Sequence, residues 1–236
     1  GNKFYNQDNR DKLCVFLYAI MDFKTTLVLP KSSFRLSHTD SILCLGSCFA
    51  ESVGKQLQIS GFNCLSNPFG VLYNPLSVIK ALRAMQENKS YSKEDLFEYK
   101  GLYGSFDFHS SFSGREPEKV LKSIQTACST SSSAFKSSTC LILSFGTAWV
   151  YELASGGFVV SNCHQLPASF FDRRRLSVDE MLQQTAGFFE ELFQNRPELK
   201  VLLTVSPIRH FKDGAHENTL SKASLHLLVD ELCSRF

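Results

Sequence analysis

The run Ser41-Ile-Leu-Cys-Leu-Gly46-Ser47-Cys-Phe-Ala-Glu51 decides the architecture, because its hydrophobic period changes half-way along. Ser41 to Leu45 is a short apolar stretch of the kind that fills a buried strand. Gly46 supplies a backbone able to turn sharply, and Phe49, Val53 and Leu57 then recur at four-residue spacing, as on one face of a helix. Ser47 therefore lies on a tight strand-to-helix turn, the geometry that holds a hydroxyl over backbone amides. That position has two readings: the serine is a nucleophile, or it is an N-cap accepting a hydrogen bond from the first helical turn.

Outward from this turn, helices alternate with strands. Pro75 to Asn88 reads as a helix with Leu76, Ile79, Leu82 and Met85 on one stripe, and Glu116 to Cys128 repeats the pattern with Val120, Leu121, Ile124 and Cys128. Ser129 to Ser138 reads as a serine-rich connector. Thr139 to Phe145 is a further buried strand, ended by Gly146, and Trp149–Leu153 with Phe158–Ser161 form a hairpin around Ser155-Gly156-Gly157. Ser177 and Glu180 have the spacing of a capping box before a helix whose Met181, Thr185, Phe188 or Phe189, and Leu192 face inward, with Asn195 to Pro197 ending it. Lys200 to Val205 is the next strand, and a helix from about Asn218 carries Leu220, Ala223, Leu227 and Leu232 inward. Such alternation predicts an α/β fold with a mainly parallel sheet covered on both sides.

A length of 236 residues suits one such domain. With 25 basic against 23 acidic residues and a net charge of +2, nothing electrostatic points to a nucleic-acid partner, and Arg173-Arg174-Arg175 reads as a solvated loop. The eight cysteines are scattered, which favours reduced thiols over a disulfide framework or a zinc site; Cys44 and Cys48 straddle a strand and a turn, and the histidines lack the close pairing of metal ligands, so no metal is expected. The apolar run Leu13–Ile20 is too short to span a bilayer, and no membrane partner is expected. Residues 1–20 read as an N-terminal extension to a domain covering 21–236. The chain is expected in the cytoplasm, or exported if that extension belongs to a signal segment.

Ser47, Gly146-Thr147 and Ser206 to His210 each lie just past the carboxyl end of a predicted strand, the edge at which open α/β sheets bind ligands. If these strands are neighbours, their loops bring together a hydroxyl, glycine amides and an imidazole, the parts needed for acyl transfer.

Gly46-Ser47-Cys48-Phe49-Ala50 reproduces the motif that gives the GSCFA family its name. Also similar to that family are Asn67-Pro68-Phe69-Gly70 with Tyr73-Asn74-Pro75, His109-Ser110-Ser111-Phe112-Ser113, Phe145-Gly146-Thr147-Ala148-Trp149, Asn162-Cys163-His164, and Ser206-Pro207-Ile208-Arg209-His210 followed by Asp213-Gly214-Ala215-His216. The resemblance covers roughly residues 22 to 236. It implies a place among the SGNH-type hydrolases: a three-layer α/β/α sandwich with a flavodoxin-like sheet that cleaves ester bonds without a cofactor.

Carried over by position, the resemblance makes Ser47 the attacking oxygen, with the amides of Ser47, Cys48 and Gly70 holding the oxyanion. The third SGNH block usually offers an asparagine after its glycine, whereas this chain has Thr147; either Thr147 donates instead, or Asn67 or Asn162 supplies the amide. Asp213 and His216 have the spacing of the acid and base that complete the site, although the family implies a later Asp-x-x-His-Pro segment and this chain stops at Phe236, so the domain is expected to lack its usual C-terminal part. His109 and His164 are expected to line the pocket or fix loops, Arg209 and His210 to meet an anionic substrate group, and His38 and His226 to lie on the surface. Two functions follow: a serine hydrolase acting on an ester such as an acetylated carbohydrate or a small acyl compound, or a noncatalytic module binding a carbohydrate or acyl ligand on the same scaffold.

Overall fold

A computed structural model describes residues 32, 34–209 and 211–236. The chain divides at Arg35, and the unit Leu36–Phe236 carries every element discussed. The expected extension, residues 1–20, lies outside the described residues.

Four strands form a parallel sheet: β1 (Ser41–Gly46), β2 (Asn63–Ser66), β5 (Cys140–Phe145) and β9 (Lys200–Val205), in the order β2-β1-β5-β9. Helix α1 (Cys48–Ile59) crosses from β1 to β2 on one side, and the rest of the chain builds β5 and β9 on the other. The order therefore reverses between β1 and β5, and the crevice beyond their carboxyl ends is a topological switch point. Strands β3 (Phe97–Tyr99) and β4 (Leu102–Gly104) pair antiparallel, as do β7 (Val159–Val160), β6 (Trp149–Leu153) and β8 (Phe171–Arg175). The fold is α/β with a mainly parallel central sheet.

Side chains alternate across that sheet. Leu43, Leu45, Leu141, Leu143 and Phe145 join a core with Leu82 and Met85 of α2 (Pro75–Glu87), Ile124 of α3 (Pro117–Ser137), Phe188 and Phe189 of α4 (Val178–Asn195), and Leu225 and Leu228 of α5 (Gly214–Arg235). Ile42, Cys44, Cys64, Cys140 and Ile142 form the opposite face, with Leu57 of α1 packed on it. The amino ends of three strands are tied by one carboxylate: Asp40 accepts from Ser37 N at 2.7 Å, Thr139 Oγ1 at 2.7 Å and Lys200 Nζ at 3.2 Å. The Ser37 amide first, then Thr139 and Lys200, hold the Asp40 carboxyl well below the usual carboxylate range.

Several local expectations change. Residues Ser129 to Ser137 are not a connector but the second half of α3. Ser129, Ser133 and Ser137 donate their hydroxyls to Thr126 O, Ser129 O and Ser133 O, so they bond back along the helix instead of ending it. The arginine triplet is strand β8, each side chain held by acids: Arg173 by Asp213, Arg174 by Glu152 and Glu180, Arg175 by Glu217. On α5 the core stripe is Ser221, Ser224, Leu225, Leu228 and Leu232, and Leu227 is 56% exposed. Among the described residues no helix is long and apolar enough to cross a membrane.

Helix α1 also turns a different face inward. Its fully buried positions are Ala50 and Gly54, whereas of the predicted stripe Leu57 packs on the core and Phe49 and Val53 are half-buried, because small residues let it lie close on β2. A Cβ on Gly54 would stand 2.5 Å from Ser66 Cβ. Gly→Ala inside a helix ordinarily gains about 1 kcal/mol. Here Gly54→Ala is expected to lose ~1–3 kcal/mol through overpacking, and Gly54→Ala with Ser66→Gly to recover most of it, as read from urea unfolding midpoints. A stabilised single variant would contradict the close approach.

Candidate functional site at the elbow between the first strand and helix

The elbow is fixed from three directions. Gly46 adopts φ +132°, and a Cβ there would fall 2.0 Å from Ser144 O, so a residue with a side chain cannot occupy it. Ser47 N donates to that same Ser144 O at 3.0 Å, Gly46 N donates to Asn67 Oδ1 at 2.9 Å, and Leu72 N donates to Gly46 O at 2.9 Å. Gly146, leaving β5, closes the other side: a Cβ on it would lie 3.2 Å from Ser47 Cβ and 3.3 Å from Tyr73 Cδ1. Tyr73 O accepts from both Gly146 N, at 2.7 Å, and Thr147 N, at 3.0 Å.

Ser47 is the N-cap of α1, its Oγ accepting from Phe49 N at 3.3 Å, and its hydroxyl also meets Ser144 Oγ at 3.2 Å. The residue is 1% exposed, so the hydroxyl is enclosed rather than displayed in an open cleft. The capping reading thus describes the ground state of this serine, and the elbow still sets it at the switch point on the N-terminus of a twelve-residue helix.

The amides expected to hold an oxyanion are mostly engaged. Ser47 N is bonded to Ser144 O, Gly70 N closes a turn on Asn67 O at 2.7 Å, and Thr147 N is bonded to Tyr73 O. Gly70 is needed for another reason: at φ +81° it lies against His109, whose Cβ would be 2.2 Å from an added one. Thr147 Oγ1 accepts from Trp149 N and meets Ser221 Oγ at 3.1 Å, so it braces α5 against the loop after β5. That leaves the amide of Cys48, first in α1, and the carboxamide nitrogen of Asn67. Asn67 Nδ2 is buried with no hydrogen-bond partner among the described residues, because its Oδ1 is turned toward Gly46.

No described imidazole is hydrogen-bonded to Ser47. His164 is 3% exposed and both ring nitrogens are occupied: Nε2 faces Ser105 O at 3.0 Å and must carry the proton, so Nδ1 accepts from Ser113 Oγ at 2.7 Å. Burial pushes its pKa down to about 4. His109 Nδ1 caps the short helix Ser110–Phe112 through Ser111 N. Asn162 Oδ1 accepts from His164 N at 2.8 Å. Asp213 does not bond His216; it takes a bidentate pair from Arg173 at 2.6 and 2.7 Å, while His216 is exposed on the first turn of α5. Arg209, His38 and His226 are exposed, and His210 lies outside the described residues.

A basic group absent from the sequence reading does reach this edge. Lys222 of α5 donates to Gly146 O at 2.6 Å and to Ser206 O at 2.7 Å, joining the loops after β5 and β9. Burial lowers its pKa from the ordinary lysine value, against a smaller opposing pull from Cys48. Burial raises that of Tyr73, with Cys48 and Glu51 adding to it. A lysine on the surface stripe of a C-terminal helix carries no sequence signal for such a role.

The chain matches the model of the GSCFA family over residues 41–236. It belongs to the GSCFA family. No curated protein and no solved structure matches the chain. The match begins with β1 and so contains the elbow, both flanking loops and every histidine from His109 onward.

The lowered His164 pKa has a definite consequence for this GSCFA protein. An unfolded histidine binds a proton below about 6.5, whereas folded His164 does so only near 4. Stability is therefore complete above about pH 6.5 and falls as pH drops toward 4, by an amount on the order of 3 kcal/mol. His164→Gln is expected to flatten the fall of unfolding midpoint between pH 7 and 4, measured by thermal melts across that range; an unchanged slope would place the titration elsewhere.

Proposed function

We propose that this GSCFA protein is a serine acyl hydrolase of the SGNH type, built on a three-layer α/β/α sandwich with a flavodoxin-like sheet, and that Ser47 is its nucleophile. What carries the reading is the elbow itself: a serine at the switch point of a parallel sheet, preceded by a glycine that sterics impose, at the N-terminus of α1. In the reaction Ser47 Oγ attacks the ester carbonyl, its proton passes to a base, the alcohol leaves, and water releases the acid from the acyl-enzyme. The Cys48 amide and Asn67 Nδ2 are the donors left for the oxyanion, and the dipole of α1 favours negative charge there. The sequence offers His216, oriented by Asp213, as base; that role requires Asp213 to exchange Arg173 for His216. The reading needs no cofactor and takes a small-molecule ester as substrate.

The enclosure of Ser47 favours a second reading, a noncatalytic module on the same scaffold that binds an acyl or carbohydrate ligand. A fluorophosphonate probe and a short-chain aryl ester separate the two. The hydrolase predicts covalent labelling and turnover, both lost in Ser47→Ala by at least ~10³-fold in kcat, and labelling slower than that of an open serine because the hydroxyl must first be uncovered. Absence of both labelling and turnover in the wild type supports the binding module.

A further inference from the structure

Beside the elbow, a cavity of about 340 Å³ lies among Tyr73, Thr147, Trp149, Tyr151, Ser161 and Arg173, with Asp213 and Lys212 also lining it. Three aromatic residues, Tyr73, Trp149 and Tyr151, share its walls with polar and charged side chains, and its volume is that of a small-ligand site. Ser47 is not among the residues that line it.

The hydrogen-bond inventory of this cavity is lopsided. Buried side-chain polar atoms with no partner among the described residues are Asn67 Nδ2, Ser77 Oγ, Gln86 Oε1, Ser132 Oγ, Trp149 Nε1, Ser161 Oγ and Arg173 Nε, and the last three all belong to this one wall. Ser161 is 8% exposed, so its hydroxyl has no recourse to bulk water. An unpaired buried donor is costly, and three around one cavity point to a group that completes them. Four acceptor groups of the same lining are already engaged. Both Asp213 carboxylate oxygens hold Arg173, Asn74 Oδ1 holds Ser77 N, Asn162 Oδ1 holds His164 N, and Thr147 Oγ1 holds Trp149 N.

We propose that this cavity binds the carboxylate of a small organic acid, whose oxygens accept from Trp149 Nε1, Arg173 Nε and Ser161 Oγ, each covered in the free protein and uncovered by side-chain shifts on entry, while its apolar body lies against Tyr151 and Val160. A carboxylate brings acceptors only, which Trp149 Nε1–H and Arg173 Nε–H require because neither can accept; the Ser161 hydroxyl donates to the same group. Charge agrees. Arg173 is offset by Asp213, and Lys212 leaves one positive charge at the rim. Stacking of the guanidinium on Trp149, 4.2 Å from the ring centre, together with the Asp213 pair, fixes the plane of Arg173 and so the direction of its Nε–H. The site is independent of Ser47 reactivity. If the hydrolase reading holds, its ligand has the chemistry of the acid released by ester cleavage.

Trp149 is the one tryptophan of the chain, so its fluorescence reports on this cavity alone. Titration at constant ionic strength with sodium hexanoate, hexanamide and N-acetylglucosamine is expected to give a saturable change for hexanoate, with hexanamide at least ~10-fold weaker and the sugar without effect. Ser161→Ala is expected to weaken hexanoate ~3- to 10-fold while leaving the melting temperature equal or higher, because it removes a hydroxyl that is unpaired in the free protein. Equal responses to hexanoate and hexanamide, a response to the sugar instead, no saturable change up to ~10 mM, or undiminished affinity in Ser161→Ala would each overturn the proposal. The readout is binding, so a failure of Ser47 labelling leaves it standing, and its own failure leaves the labelling result intact.

Discussion

The Ser47 N–H donated to Ser144 O draws β1 and β5 together at their carboxyl ends until no side chain fits on Gly46. That single approach organises the functional edge. It fixes where α1 begins and makes Ser47 its cap, and it brings Gly146 against the serine. Tyr73 O then holds the Gly146 and Thr147 amides, and Lys222 holds Gly146 O from the other side. Three loops from distant parts of the chain are thereby fastened to one another through backbone atoms. Two side chains complete the fastening, Asn67 on Gly46 N and Lys222 on Gly146 O and Ser206 O.

The elbow and the cavity divide the chemistry between them. The elbow is small, enclosed and rich in backbone bonds, suited to holding one hydroxyl in one place. The cavity mixes three aromatic residues with polar side chains, and each of its unpaired groups can donate. Thr147 belongs to both: its amide joins the elbow, and its hydroxyl bonds Trp149 N on the cavity wall. Tyr73 is shared as well: its carbonyl holds the Gly146 and Thr147 amides, and the residue lines the cavity.

Where local pattern and burial agreed, the sequence was a sufficient guide. The apolar runs of β1 and β5 are buried on both faces and the stripe on α2 on one, as their patterns imply, whereas β9 at the sheet edge is only half-buried and leaves Leu202 exposed. It misled wherever small or charged residues do the packing. Ala50, Gly54, Ser221 and Ser224 face inward in helices whose larger neighbours suggested another face, since close approach needs little volume. Arg173 to Arg175 form a strand because partner acids on β6, α4, α5 and the turn before α5 neutralise them, and those partners lie 6 to 42 positions away. Lys222 and the donors of the cavity were invisible for the same reason: their meaning lies in what they touch. The glycine-serine pair could be found because its constraint is local, whereas the engagement of Gly70, Asp213 and His164 with other partners could only be seen in three dimensions.

Asp40 sits at the rim of the sheet opposite the elbow, latching the starts of β1, β5 and β9 with one carboxylate. The strands are thus clasped at one end and furnished with chemistry at the other. Such a division lets the furnished end yield to a ligand without loosening the sheet, because the clasp at the far rim keeps the strands in register.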